Sequence, residues 1–255
     1  MATQGSGTIS RMSDELVVKH GNHVKVEEAM AMVFVKSRAP SIPVPTVYAC
    51  YTIGPYDRDP DDYGPQTDVY IIMDFVPGDT LEATWDTLDR GAKSQLASEL
   101  RLHVDTLRSL RDDKTGIYIG SVHQGALTDA LFDRASAKGP FTHEEHFNDS
   151  LVQIYEEAVP GANMGYLLAG ALAEHRHPIV FTHGDLRPSN ILIHDQRIAG
   201  IVDWETSGFY PDYWEFVKAF AVAGWPKDWP EFVTDMLDPR FTELAVYDLI
   251  KRDIW

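Results

Sequence analysis

The stretch from His183 to Asn190, together with an aspartate thirteen positions further on, constrains this chain more than any other feature. The stretch reads His-Gly-Asp-Leu-Arg-Pro-Ser-Asn, and Asp203 stands after two apolar residues. Three apolar segments flank these residues, and each has the length and composition of a short buried strand: 178–182, 191–193 and 198–202. We therefore expect Asp185, Asn190 and Asp203 to lie at strand ends, where their side chains can converge.

Two carboxylates and one amide in this arrangement suit phosphoryl transfer from a magnesium–nucleotide complex. Asp185 would accept the proton of the acceptor hydroxyl, while Asn190 and Asp203 would bind Mg²⁺ on the phosphates. The first motif alone also occurs in ordinary polar loops. Such a loop has no need for a second aspartate beyond a hairpin, so the combination favours a catalytic site.

The block resembles the catalytic loop and metal-binding aspartate of the aminoglycoside phosphotransferase family, relatives of protein kinases that phosphorylate small molecules. This sequence is close to the family's motif, which reads His-Gly-Asp-Leu-x-x-x-Asn-Ile-Leu followed by Ile-Ile-Asp-Trp-Glu. The resemblance is strongest to fungal and actinobacterial phosphotransferase-like proteins. It implies that Asp185 is the catalytic base and that Asn190 and Asp203 are the Mg²⁺ ligands. It also implies that His183 braces the loop as a structural residue.

A lysine and a glutamate in the N-terminal third fit the nucleotide-binding part of such a site. Residues 16–19 read as a strand that ends at Lys19, and residues 24–38 carry apolar side chains at helical spacing. In kinases, a strand lysine binds the α- and β-phosphates and is held by a helix glutamate. Similarity to the family's Glu-Ala-x-Ala-Leu-x-Phe-Val favours Glu28 over Glu27. Taken alone, a strand-end lysine and glutamates at a helix start are also common without function.

Two further strands, 47–51 and 69–75, are expected to form an antiparallel hairpin with a long polar tip. The second strand runs into Met-Asp-Phe-Val-Pro-Gly-Asp-Thr, which resembles the family's hinge between the lobes. The resemblance implies that backbone groups near Asp74 and Val76 bind the adenine edge of ATP.

The Gly-rich loop that should cover the phosphates is unassigned in this sequence. Only Gly5 and Gly7 are available near the amino terminus, which predicts either a trimmed lobe or a looser hold on the γ-phosphate. This feature favours an alternative, in which a kinase-fold protein reuses the cleft for nucleotide binding or for a non-phosphorylating biosynthetic step. Four intact polar residues argue against that alternative: Lys19, Asp185, Asn190 and Asp203.

The region from 80 to 178 reads as mostly helical, with a helix over 90–111 and a second one opened by a capping box at 142–145. Another helix is expected to begin at Tyr210, with Pro211 in its first turn. Asp212 and Glu215, together with Glu205, would make the cleft acidic. In family members that act on aminoglycosides, acidic residues of this lobe hold the cationic substrate. The resemblance therefore implies a small-molecule acceptor that could be cationic.

Composition limits the classes of protein to which this chain can belong. A formal net charge of −17 without a basic stripe excludes general nucleic-acid binding, although this charge identifies no ligand. Cys50 is the only cysteine, so no internal disulfide can form, and a buried strand thiol is expected. The start of the chain does not resemble a signal peptide, and no long apolar stretch predicts a membrane span. We expect a soluble cytoplasmic protein.

These patterns together predict an α+β, bilobal, protein-kinase-like fold. Residues 1–77 would form a small antiparallel nucleotide-binding lobe, and residues 78–255 a larger, mainly helical lobe with the catalytic loop and acceptor site. The expected activity is ATP- and Mg²⁺-dependent transfer of the γ-phosphate to a hydroxyl of a small molecule. The sequence does not predict the acceptor's identity or the oligomeric state.

Overall fold

In the computed structural model, residues 7–59, 65–111, 116–161, 163–221 and 228–254 of the 255-residue chain are described. The first part of the chain forms four strands and one helix: β1 (Thr8–Arg11), β2 (Leu16–Gly21), α1 (Val26–Arg38), β3 (Val47–Ile53) and β4 (Asp68–Asp74). The strands make one antiparallel sheet in the order β1-β2-β4-β3. Alternate residues of β4 are buried, as expected for a sheet with one covered face.

The rest of the chain is mainly helical, with short strands between the helices. In chain order its elements are β5 (Asp79–Thr80), α2 (Leu81–Thr84), α3 (Arg90–Ser109), α4 (Glu144–Ala158), α5 (Gly165–Leu172), β6 (Ile179–Thr182), β7 (Ile191–His194), β8 (Arg197–Ile201), β9 (Gly208–Pro211), α6 (Trp214–Phe220), α7 (Trp229–Met236) and α8 (Phe241–Ile254). Strands β5, β7 and β8 form one small antiparallel sheet, and β6 pairs with β9. A sheet followed by a helical part confirms the predicted α+β, two-part architecture.

Helix α3 illustrates why these elements form where they do. Its N-cap residue Asp89 accepts a hydrogen bond from the backbone N–H of Ala92 at 2.8 Å, which satisfies one of the unpaired amides of the first turn. Its buried side chains recur at helical spacing: Leu96, Leu100, Val104 and Leu107. The helix therefore buries one face against the C-terminal part of the fold.

The two parts of the molecule share a hydrophobic core. One contiguous cluster contains Val17 and Ile71 of the N-terminal sheet as well as Leu100, Phe181 and Ile201 of the C-terminal part. A backbone hydrogen bond from Ile201 N–H to the Pro43 carbonyl, 2.8 Å long, also joins them. The proposed division of the chain after residue 77 stays a prediction.

Two local predictions for the helical part are wrong. Pro211 lies in strand β9, where it pairs with Ile179, and the helix expected from Tyr210 begins at Trp214. Helix α4 begins at Glu144 without a side-chain cap. Its N-cap residue is His143, one position after the Thr142 of the expected capping box. At Pro211, the pairing of β9 with β6 outweighs the local helix-start signal.

The prediction of a buried thiol is also wrong, because Cys50 is exposed. It lies on β3, one of the two edge strands of the four-stranded sheet. None of the helices in the described ranges combines the length and hydrophobicity needed to cross a bilayer.

Candidate active site

Lys19 joins the two parts of the molecule through an ion pair with Asp203. Its Nζ lies 2.7 Å from Glu28 Oε2 on α1 and 2.7 Å from Asp203 Oδ1, which follows β8. Lys19 and Glu28 are only 3% and 1% exposed. Burial alone would lower the pKa of the lysine, but the two carboxylates outweigh it and raise that pKa. The lysine is therefore a fixed cation, and the predicted Lys19–Glu28 pair is formed.

Asp203 is held in position by its backbone. Its φ angle of 65° lies in the left-handed region, which is uncommon for a residue with a side chain. The preceding residue, Val202, donates its backbone N–H to the Asn190 carbonyl at 3.0 Å. Asn190 and Asp203 therefore lie at the same end of the β7–β8 hairpin, as the spacing of the sequence predicts.

Asp185 and Asn190 are in direct contact. The Asn190 amide nitrogen donates to the Asp185 backbone carbonyl at 3.0 Å and to its Oδ2 at 2.8 Å. Burial raises the pKa of Asp185, and the Arg187 charge and the Asn190 hydrogen bond oppose this effect. Both polar contacts with side chains use Oδ2, and no described residue forms a hydrogen bond or ion pair with Oδ1. One carboxylate oxygen is thus held while the other remains for a ligand.

His183 lies under the loop and is fully buried. Its Nε2 is 3.1 Å from the Val202 carbonyl, and its Nδ1 accepts a hydrogen bond from the Asp185 backbone N–H at 3.2 Å. Burial lowers its pKa to about 4, so the ring is neutral and Nε2 carries the proton. These contacts link the catalytic loop to the strand that precedes Asp203.

Two of the three acids predicted to bind the acceptor have partners within the protein. Glu215 is buried and accepts backbone N–H hydrogen bonds from His183 at 2.7 Å and Gly184 at 3.1 Å. Burial raises its pKa to about 7, against these two hydrogen bonds. Asp212 is also buried and lies 2.7 Å from the guanidinium of Arg240. Both carboxylates are therefore engaged within the protein, and their role at the acceptor stays a prediction.

The third predicted acid, Glu205, lies close to Glu28 and Asp203. One carboxylate oxygen each from Glu28, Asp203 and Glu205 lie within 4.8 Å of one another. Carboxylate and amide oxygens are the ligands that Mg²⁺ prefers. Because the nitrogen of the Asn190 amide is engaged by Asp185, its oxygen is left as a further ligand. The chemistry of these donors suits Mg²⁺, and the roles of Asn190 and Asp203 as its ligands stay predictions.

The predicted adenine-binding hinge follows β4. The carboxylate of Asp74 accepts hydrogen bonds from the Thr46 backbone N–H and the Tyr48 hydroxyl, both at 2.7 Å, so this side chain braces the strand end. The Val76 side chain packs over Gly200 of β8, where a Cβ atom would come within 2.8 Å of it. The roles of Asp74 and Val76 in nucleotide binding stay predictions.

The phosphate-covering loop cannot be assigned among the described residues. Gly5 lies outside them. The connection between β1 and β2 spans residues 12–15 and contains no glycine. Gly7 packs against its surroundings, since a Cβ atom there would come within 2.1 Å of a Val24 methyl group.

Sequence reasoning missed Arg187. Its Nε lies 3.0 Å from Asp185 Oδ2, so a cation stands directly beside the candidate base. The signal was present, because the sequence places an arginine two positions after the candidate base, within the same short loop. It was overlooked because the family's motif leaves this position open.

Comparison with known proteins agrees with this geometry. Residues 10–248 match the APH family, described as a phosphotransferase enzyme family. A thermostable mutant of aminoglycoside phosphotransferase APH(4)-Ia, without ligand, has a similar fold with a TM-score of 0.59 and 14% identity, over 97% of this chain and 85% of that one. ADP-bound aminoglycoside phosphotransferase APH(2'')-Ib has a TM-score of 0.57 and 14% identity, over 100% of this chain and 79% of that one.

No curated protein matches the chain in sequence. The identities to the solved structures are low enough that they establish a shared kinase-like fold and nothing finer. The family match covers most of the chain, including the catalytic loop, the helix with Glu28 and the hairpin that ends at Asp203. This chain belongs to the APH family of phosphotransferase enzymes.

Proposed function

We propose that this protein transfers the γ-phosphate of ATP to a hydroxyl group of a small molecule in a Mg²⁺-dependent reaction. The observation that carries the proposal is the position of Lys19, whose Nζ contacts both Glu28 and Asp203 at 2.7 Å. A phosphate-binding cation is thereby held next to the metal-binding carboxylate. This is the arrangement that phosphoryl transfer needs for positioning and charge neutralisation.

The nucleotide and the metal would be bound by residues from both parts of the molecule. Lys19 would bind the α- and β-phosphates, with Glu28 holding its ammonium group. The Asn190 amide oxygen and the Asp203 carboxylate would hold Mg²⁺, which supplies charge neutralisation at the phosphates. Backbone groups near Asp74 and Val76 would bind the adenine edge.

Asp185 would act as the base toward the acceptor. Asn190 and Arg187 hold its Oδ2, so its Oδ1 is the oxygen that can orient the acceptor hydroxyl and take its proton. Its raised pKa increases its affinity for that proton, while the nearby Arg187 charge favours the ionised form before the reaction. The loop is rigid because His183 and Glu215 hold its backbone.

Thermal-shift titration with Mg-ATP tests the nucleotide part of this proposal. Binding to the native state should stabilise the protein by about 2.7 kcal/mol at a hundredfold excess over Kd. Lys19→Met should abolish most of this shift. A wild-type protein that shows no shift under saturating Mg-ATP would contradict the proposal.

Asp185→Ala tests the chemical step. The variant should keep the Mg-ATP shift and lose acceptor-dependent ADP formation by a factor of about 10²–10⁴, because the base is absent while the nucleotide site is intact. ADP formation would be measured over a set of hydroxyl compounds that includes aminoglycosides. Mg-ATP binding without any acceptor-dependent turnover would instead favour the alternative of a repurposed nucleotide-binding cleft.

A further inference from the structure

Arg187 has donor groups that the protein itself does not use. Its Nε is buried beside Asp185 Oδ2 at 3.0 Å, but the side chain as a whole is 37% exposed. Among the described residues, none accepts a hydrogen bond from its Nη1 or Nη2. An arginine has five N–H donors in a planar fork, and four of them are on these two nitrogens. The fork therefore faces outward next to the candidate base.

The backbone fixes this position. The Arg187 N–H donates to the Asp185 carbonyl at 2.9 Å, and the Asn190 N–H donates to the Arg187 carbonyl at 2.9 Å. Leu186 and Pro188 on either side are buried. The guanidinium is thus held within the same loop as the base, and it will lie close to whatever group Asp185 deprotonates.

Two of the three acids predicted to bind a cationic acceptor have partners within the protein. Asp212 pairs with Arg240, and Glu215 accepts two backbone hydrogen bonds beneath the loop. Glu205 lies with the carboxylates around Lys19. The exposed charge beside Asp185 is instead positive.

We propose that the acceptor carries an anionic group, a carboxylate or a phosphate, close to the hydroxyl that receives the phosphoryl group, and that Arg187 binds it. Guanidinium forks bind both of these groups with two parallel hydrogen bonds. A cationic amino sugar in the same place would be repelled by a like charge. This inference rests on the proposed phosphotransferase function and names the class of its acceptor.

The transferred γ-phosphoryl group has the same chemistry as such an acceptor, so the test must separate the two. Inorganic phosphate is the probe, titrated at constant ionic strength and with Mg²⁺ in excess. In enzyme saturated with Mg-AMP-PNP, the γ position is filled and added phosphate can bind only on the acceptor side. In enzyme saturated with Mg-ADP, the γ position is open. The thermal shift is measured in both states.

Phosphate should stabilise the Mg-AMP-PNP enzyme, and Arg187→Gln should weaken this binding about tenfold or more, the equivalent of about 1.4 kcal/mol per tenfold. Arg197→Gln is the matched control, because Arg197 pairs with Glu99 on the surface and is 67% exposed. Its phosphate affinity should equal that of the wild type. Arg187→Lys should retain part of the affinity, since it keeps the charge but not the fork.

Two sugar derivatives of opposite charge give a second comparison. Gluconate should bind the Mg-AMP-PNP enzyme more tightly than glucosamine.

Any of four results would overturn the inference. They are a phosphate shift only in the Mg-ADP state, a shift that Arg187→Gln leaves unchanged, no phosphate shift in the wild type, and tighter binding of glucosamine than of gluconate. The first would assign Arg187 to the transferred phosphoryl group. Failure of the proposed function would look different, because Mg-AMP-PNP itself would then produce no thermal shift. In that case the inference about Arg187 would fail together with the proposed function.

Discussion

Glu215 accepts two backbone N–H hydrogen bonds from the catalytic loop, at His183 and Gly184, and both of its oxygens are used. A glutamine at this position has one acceptor oxygen, and its NH₂ group would face one of the two buried N–H donors. Leaving a buried donor unpaired costs about 1–3 kcal/mol. We expect Glu215→Gln to lower the free energy of unfolding by that amount and to reduce turnover without changing the acceptor's charge preference.

Urea unfolding followed by tryptophan fluorescence measures this loss. Glu174→Gln is the matched control, since Glu174 is exposed and the substitution should leave stability within about 0.5 kcal/mol of the wild type. A Glu215→Gln variant as stable as the control, but with weaker acceptor binding, would return Glu215 to the role of a substrate ligand.

At the scale of elements, the β7–β8 hairpin carries local strain. Its two turn residues, Asp195 and Gln196, have φ angles of 48° and 58°, and the flanking His194 and Arg197 are paired. A two-residue turn with positive φ at both positions is type I′, which favours glycine at the second position. We expect Gln196→Gly to stabilise the protein by about 0.5–1 kcal/mol, because the left-handed conformation then has no side-chain penalty.

Urea unfolding again gives the measurement. Gln153→Gly is the opposite-sign control, since Gln153 lies exposed within α4 and glycine there should cost about 1 kcal/mol. Equal destabilisation by both substitutions would show that the turn conformation is not strained in solution.

Helices α4 and α8 are joined through His177. Its Nδ1 lies 2.6 Å from Glu144 on α4, and its Nε2 lies 3.4 Å from Glu243 on α8. Burial alone would lower the pKa of the ring, but the hydrogen bond and charge of Glu144, with the charges of Asp212 and Glu243, raise it. The His177 ring therefore binds its proton more tightly in the folded state than in the unfolded state.

The sign of the pH dependence follows from this raised pKa. The stabilisation is fully present below the unfolded value near 6.5 and is lost as pH rises through the higher folded pKa. His177→Gln should therefore lower the free energy of unfolding by about 1.5–3 kcal/mol at pH 6, with a smaller loss at pH 9. Urea titrations at both pH values measure the difference, with exposed His175→Gln as control. A loss that is equal at both pH values would contradict the linkage.

At the scale of the whole molecule, the shared core predicts cooperative unfolding. Residues of the N-terminal sheet and of the C-terminal part belong to one hydrophobic cluster. Every tryptophan of the chain lies at position 85 or later, so tryptophan fluorescence reports only the C-terminal part. We expect hydrogen exchange of β2 and β4 to show the same urea midpoint as the fluorescence. Exchange of these strands at clearly lower urea would show that the two parts unfold separately.

Much of this protein follows from its sequence alone. The hairpin from Ile191 to Ile201 and the helices near Glu28 and Leu100 depend on local periodicity, so their positions could be predicted closely. The contacts among the candidate site residues could be predicted because their spacing is tied to that same hairpin. Asp185 and Asn190 are five positions apart, and their contact follows from one short loop.

Only the tertiary structure decided the other contacts of the site, because these contacts join residues that lie far apart in the chain. Glu215 lies 32 positions from His183, and Lys19 lies 184 positions from Asp203, so their contacts exist only once the parts have packed. The sequence shows which residues carry charge, but packing decides which charges neutralise one another. That is why two of the three acids expected at the acceptor have partners within the protein, and why a cation stands beside the candidate base.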